Sequence, residues 1–240
     1  MALVDEYVES AAPVGSGRIA QHYLKEVSPA TIRNELMGLE NDGYARSPHT
    51  SAGRVPTNTG YRVFVNTLLL RESLKGAAEP SPSGSAALRK AEMQALDTEQ
   101  RIEQVLSFLS NATGLLSVIW SVRPDVAVYY RGLPQLLSQP EFQDSSALIP
   151  LMQLIEDESA LAHLLLSTFN NSGFVVKVGI EDADGCLSSY SMVAEIYGGE
   201  RPQGALAVFG PTRMDYRRVI PAVLFASQLF NHSRTRVFGR

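Results

Sequence analysis

The chain has 240 residues, 45% of them hydrophobic, and 21 Lys and Arg against 25 Asp and Glu give a net charge of −4. That length holds two modest domains with their own cores; no apolar run approaches the roughly 20 residues that span a bilayer, and the opening MALVDEYVES is acidic where a signal peptide is basic, so the cytoplasm is the expected compartment. A single cysteine, Cys186, excludes an intrachain disulfide framework and a multi-cysteine zinc site.

In chain order, Leu3, Val4, Tyr7 and Val8 mark a short amphipathic helix, and a second is predicted over about 16–25, burying Ile19, Ala20 and Tyr23. A third begins at Ser28, a good N-cap, with Pro29 at the first helical position. Ile32, Leu36 and Leu39 form its apolar stripe, and Gly43 suits the left-handed residue that ends it. Its N-terminal turn carries Thr31, Arg33 and Asn34: a hydroxyl, a guanidinium and an amide, the groups that hydrogen-bond to base edges and phosphates. Helix, helix, reading helix is the order of a helix-turn-helix. Residues 44–70 hold Arg46, Arg54 and Arg62 and no Asp or Glu. Turn residues at 47–48, 51–53 and 56 divide this stretch into short strands around a loop, or wing, from which His49, Thr50, Ser51 and Arg54 are expected to reach phosphates or a minor groove. A solvated surface hairpin is the plainer reading of the same charge.

Residues 76–87 are small, polar and twice interrupted by proline, as linkers are. A long helix is predicted over 86–111, with Leu96, Ile102, Val105, Leu106 and Leu109 on its apolar face. It suits either pairing with a twin or packing in a second domain. Strands follow at 115–122 and 126–130, a helix over 147–169 around Pro150, strands at 174–180 and 189–197 joined through Asp184 and Gly185, and a strand at 205–209. A closing helix over 215–233 takes Asp215 as its cap. Strands of this kind with helices packed on them make an α+β domain with an antiparallel sheet. Charge divides unevenly along the chain: 8 Lys or Arg against 8 Asp or Glu in residues 1–75, 6 against 15 in 76–199, and 7 against 2 in 200–240. An acidic middle would repel nucleic acid while the wing attracts it.

Three separated stretches, Ser28-Pro-Ala-Thr-Ile-Arg-Asn running on to Pro48-His-Thr-Ser-Ala-Gly-Arg-Val-Pro-Thr and Gly60-Tyr-Arg, then Leu137-Ser-Gln-Pro-Glu-Phe142, then Phe209-Gly-Pro-Thr-Arg-Met-Asp-Tyr216, resemble the HrcA family of heat-inducible transcription repressors in order and spacing. The resemblance covers nearly the whole chain. It implies a winged helix-turn-helix domain over 1–72, a linker over 73–87 and a GAF-like regulatory and dimerisation domain over 88–240. It also implies a homodimer that represses chaperone operons from an inverted-repeat DNA operator with support from the GroE chaperonin. Ser28, Thr57, Tyr61 and Arg62 stand in the matching motifs and join Thr31, Arg33, Asn34, His49, Thr50, Ser51 and Arg54 as the candidate DNA-binding set. Against the family pattern the chain opens partway into its first helix and lacks the insertion usual between about 122 and 126.

Catalytic signals are missing. Asp182, Asp184 and Gly185 lack the rest of a calcium loop, and His22, His49, His163 and His232 are far apart with no ligand partner at metal-site spacing. No phosphate loop or nucleophile elbow is present. An enzyme, a cofactor and a metal are therefore not expected. The alternative to a chaperone-linked repressor is a regulator whose GAF-like sheet senses a small molecule; a polar pocket would favour it, and a filled apolar core would favour assembly.

Overall fold

The computed structural model describes residues 1–49, 53–75, 98–122, 126–142, 144–167, 173–180, 185–198 and 203–232. Its contacts divide the chain into two units, Met1–Leu74 with Thr212–Met214, and Lys75–Pro211 with Asp215–Arg240. The expected domain boundary at 72 falls inside a helix. The linker expected over 73–87 starts in that helix and, like the first half of the helix expected over 86–111, otherwise lies outside the described residues.

The first unit contains α1 (Ala2–Ser10), α2 (Ser16–His22), α3 (Pro29–Asn41), β1 (Ala45–Arg46), β2 (Val55–Pro56) and α4 (Asn58–Lys75). Leu3, Val14, Ile19, Ile32, Leu36 and Ala45 form one core, so three helices and β1 are closed over the same apolar cluster. Burying each of its larger side chains contributes roughly 1.5–3 kcal/mol. A charged contact ties the first two helices as well: buried Glu6 of α1 meets Arg18 Nη2 at 2.5 Å and His22 Nδ1 at 2.9 Å, both on α2. α2 stops at His22, short of the expected 25.

Residues 58–70 are helix, which corrects the expectation of a ribbon there. Tyr61, Phe64, Val65 and Leu68 are all buried, and their spacing of three, one and three is helical. Thr57 starts that helix: its hydroxyl accepts from the Gly60 amide at 3.1 Å.

The second unit is built on a five-stranded antiparallel sheet in the order β4-β3-β7-β6-β5, from β3 (Leu116–Ser121), β4 (Ala127–Arg131), β5 (Phe174–Val178), β6 (Tyr190–Tyr197) and β7 (Gly204–Pro211). On one face lie α5 (Thr98–Thr113) and α9 (Tyr216–His232), joined to the sheet and to each other by an Arg131–Glu103 pair at 3.0 Å and by Phe108 against Phe225. Asp215 caps α9 as expected, its Oδ1 accepting from the Arg217 amide at 3.1 Å. The short α6 (Leu133–Leu137), which sequence reasoning did not anticipate, leads to α7 (Ile149–Glu156) and α8 (Glu158–Ser167). These two replace the single helix expected over 147–169. Asp157 is extended, and its Oδ1 accepts from Ala160 N at 3.0 Å, so one carboxylate ends the first helix and caps the second. Phe142 stacks on Tyr190 at 4.9 Å, and the Tyr190 hydroxyl donates to the Ala147 carbonyl, fixing this segment on the sheet.

Cross-strand register sets the interior. Val118 faces Ala207, which faces Ala194, and Met192 faces Phe209; all five are fully buried. The next residues along the strands point to the other face, where Glu195 meets α9. Burial there pushes its carboxyl up to about 7, against a hydrogen bond with Ser227 that pulls it down. Because the folded value lies above the unfolded one, the stability this group contributes is full below the unfolded value near 4.3 and is lost as pH rises toward 7. Glu195→Gln should therefore match the parent's melting temperature near pH 4.5 and exceed it by about 2–4 °C at pH 8, the shift that roughly 1 kcal/mol produces in a protein of this size. Thermal melts across that range check this; an equal difference at both ends would contradict it.

Candidate nucleic-acid interface

The third helix is fixed at both ends by its own sequence. Ser28 Oγ accepts from the Thr31 amide at 3.1 Å and lies 2.8 Å from the Thr31 hydroxyl, and Pro29 occupies the first turn. At the far end Gly43 takes φ +78°, with Gly43 N donating to the Glu40 carbonyl and Tyr44 N to that of Leu39. Ile32 and Leu36 turn inward; Leu39, expected to join them, is 37% exposed. Thr31, Arg33, Asn34, Glu35, Met37, Gly38 and Asn41 are exposed, so the polar surface read from the sequence faces outward.

Among the described residues the hairpin beside it has two residue pairs, Ala45 with Pro56 and Arg46 with Val55. So short a ladder is not stable alone. Three contacts hold it. Val14, between α1 and α2, exchanges backbone hydrogen bonds with Arg54 at 2.9 and 2.8 Å, adding a third strand position. Gly53 lies against the Val14 backbone so closely that a Cβ would collide with it. Glu40 of α3 then grips both arms of the turn: one carboxylate oxygen accepts from Ser47 N at 2.9 Å and the other meets Arg54 Nη2 at 2.8 Å.

This placement sorts the candidate residues. Arg33, Asn34 and His49 are exposed, as is Arg62 on α4. Ser28 and Thr31 are exposed, but their hydroxyls are turned on each other in the cap. Thr50 and Ser51 lie outside the described residues. Three assignments change. Arg54, expected to reach phosphates, has a side chain only 20% exposed and engaged with Glu40, so its charge is spent on the hairpin. Tyr61 is 2% exposed and belongs to the core, because its position in α4 faces inward with Phe64 and Val65. Thr57 donates to the Gly43 carbonyl at 2.7 Å while capping α4, which makes it a joint between the end of α3 and the start of α4.

Sequence reasoning missed Glu40. The signal was present, since a hairpin rich in arginine and free of acid needs a carboxylate from elsewhere, and Glu40 is the last acid before it apart from Asp42. Arg46 is exposed on β1 and is a further cation at the same hairpin. The stretches near 137–142 and 209–216 prove to be packing segments: Phe142, Phe209, Met214 and Tyr216 are buried. Among the described residues no group of three or more His, Cys, Asp or Glu is arranged to hold a metal ion, and no helix is long and apolar enough to cross a membrane.

A profile described as the HrcA protein C terminal domain matches residues 68–220. The heat-inducible transcription repressor HrcA of Desulforamulus reducens is 28% identical, with 98% of this chain and 94% of that protein covered. Its alignment runs over 329 positions against a chain of 240, so the relative carries segments with no counterpart here. The repressor HrcA of Bifidobacterium animalis subsp. lactis is 42% identical over 124 residues, which cover 48% of this chain and 31% of that protein. A solved structure described as a hypothetical protein superposes with a TM-score of 0.78 at 19% identity, covering 97% of this chain and 96% of that one, and supports the fold.

The Glu40 contacts make a stability prediction. Glu40→Ala and Arg54→Ala should each destabilise the protein by roughly 1–3 kcal/mol, because each leaves a partly buried polar partner unmatched. The double variant should cost less than the sum, with a coupling of at least about 0.5 kcal/mol. Chemical denaturation of the four proteins measures this; strictly additive losses would show that the pair does not act as a unit.

Proposed function

We propose that this chain, which belongs to the HrcA family of heat-inducible transcription repressors, represses its target genes by binding an inverted-repeat DNA operator as a homodimer in the cytoplasm. The observation that carries the reading is the exposed polar surface of α3, capped at Ser28 and flanked by a hairpin that Glu40 clamps to the same helix. In this reading α2 and α3 are a helix-turn-helix and the 45–56 hairpin is a wing. Arg33 and Asn34 read base edges in the major groove, where guanidinium and amide groups make bidentate contacts. Arg46, His49 and Arg62, with Thr50 and Ser51, supply the contacts to the phosphate backbone that give affinity without sequence preference. The chain then acts as a regulator and not as an enzyme.

The second unit, read as GAF-like, serves assembly. The filled apolar interior of Val118, Met192, Ala194, Ala207 and Phe209 supports this over small-molecule sensing, since a sheet face occupied by packed side chains has no room for a ligand. Heat lowers the DNA-competent population, and the GroE chaperonin restores it by returning partly unfolded chains to the folded dimer.

Binding is tested by mobility shift of the full chain on a duplex selected from a randomised library, with and without the GroE chaperonin. Arg33→Ala should lower the ratio of specific to random-sequence affinity by about 10-fold or more, the worth of one good base contact. It should leave random-sequence binding and its salt slope nearly unchanged. If Arg33→Ala keeps full discrimination, the helix assignment fails; if the chaperonin leaves the bound fraction of a heat-treated sample unaltered, its supporting role fails.

A further inference from the structure

The surface of α3 holds two residues that neither its packing nor the proposed polar contacts account for. Ile32 and Leu36 set the buried direction. On the opposite side, at spacings of four, three and four, stand Ala30, Asn34, Met37 and Asn41, all exposed, with Gly38 beside Met37. Met37 is 48% exposed, a large apolar side chain between Asn34 and Asn41 on the outer face. Gly38 is in the helix interior, where glycine disfavours the helix relative to alanine, yet a Cβ there would meet nothing within 4 Å. Among the described residues, then, Met37 leaves about half of its side chain uncovered and Gly38 has no neighbour to make room for.

A DNA major groove would cover the one and come close to the other. Its one apolar group is the C5-methyl of thymine, and methionine is flexible and polarisable enough to settle against it. A helix lying in the groove also brings its outward backbone near the bases and the sugar-phosphate wall, where a missing side chain allows closer approach. We infer that Met37 is a specificity-determining residue that contacts a thymine methyl one helical turn beyond Arg33, and that Gly38 is the point of closest approach between α3 and the duplex. The inference rests on the operator-binding reading above and adds a base identity to it: each half-site contains a thymine that is read through its methyl group.

The test uses the full chain and duplexes selected from a randomised library, with each thymine in turn replaced by deoxyuridine, which removes only the methyl. The parent should lose about 5- to 20-fold in affinity at one thymine per half-site, within the worth of a base contact. Met37→Ala should show a similar loss on the unmodified duplex, no further loss on the deoxyuridine duplex, and unchanged affinity for random sequence. Met37→Leu, which keeps an apolar side chain, should restore the sensitivity to the methyl. Gly38→Ala should raise the melting temperature while weakening specific binding. The Met37 assignment is overturned if Met37→Ala keeps the parent's deoxyuridine penalty at every thymine, or loses as much on random sequence as on the selected duplex. Unweakened binding by Gly38→Ala overturns the close approach. Should the library yield no enriched sequence at all, the operator-binding reading itself falls; enrichment without a thymine linked to Met37 removes only this inference.

Discussion

Two backbone hydrogen bonds between Val14 and Arg54 anchor the arrangement on which the first unit depends. They pair the connection between α1 and α2 with the returning arm of a hairpin whose own ladder, among the described residues, has two residue pairs. For those bonds to form, the residue before Arg54 must lie on the Val14 backbone, and only glycine leaves the space. Once Arg54 is fixed there, its guanidinium meets Glu40, and the other oxygen of the same carboxylate takes the Ser47 amide. The hairpin is thereby tied to the helix core on one side and to α3 on the other. Under the proposed function, α3 and the hairpin held in fixed relation present one surface, which limits the ordering cost that binding would otherwise carry.

The same tethering explains how the unit divides its charges. Arginines in an acid-free segment invite assignment to DNA, yet one of them is committed inside the fold. Arg54 shapes the hairpin, while Arg46 and Arg33 remain exposed. The cation that shapes the hairpin and those proposed to meet DNA are therefore different, and burial separates them. In the second unit the sheet does comparable work with apolar side chains: one face is filled by residues in cross-strand register, and the other takes α5 and α9 over a partly buried carboxyl, Glu195. That carboxyl is a weak point, since ionising it under a packed helix is unfavourable.

Much of this was legible where a local rule acts alone. Ser28, Pro29 and Gly43 bound α3 through capping chemistry that needs no distant partner, and Asp215 does the same for α9. The five strands announced themselves by β-branched and aromatic runs. What was not legible depended on competition or on tertiary contact. Residues 58–70 carry turn-like neighbours and arginines that suggested a ribbon, but the inward spacing of Tyr61, Phe64, Val65 and Leu68 decides for helix. Asp157 divides a stretch whose apolar content alone reads as continuous. At the candidate site, exposure of Arg33 and Asn34 followed from the helical period. The roles of Arg54, Thr57 and Tyr61 did not, because each is set by a group far along the chain or by the direction of a helix that had not been recognised.

In the proposed function, α3 and the adjoining hairpin form the DNA-binding surface. Amide chemical shifts of the full chain, followed by NMR while a selected duplex is titrated in, test it most directly. The largest changes should fall in residues 28–41 and 45–57, with small ones through the sheet strands between 116 and 211. Changes confined to the sheet unit, with residues 28–41 unmoved at saturation, would contradict it.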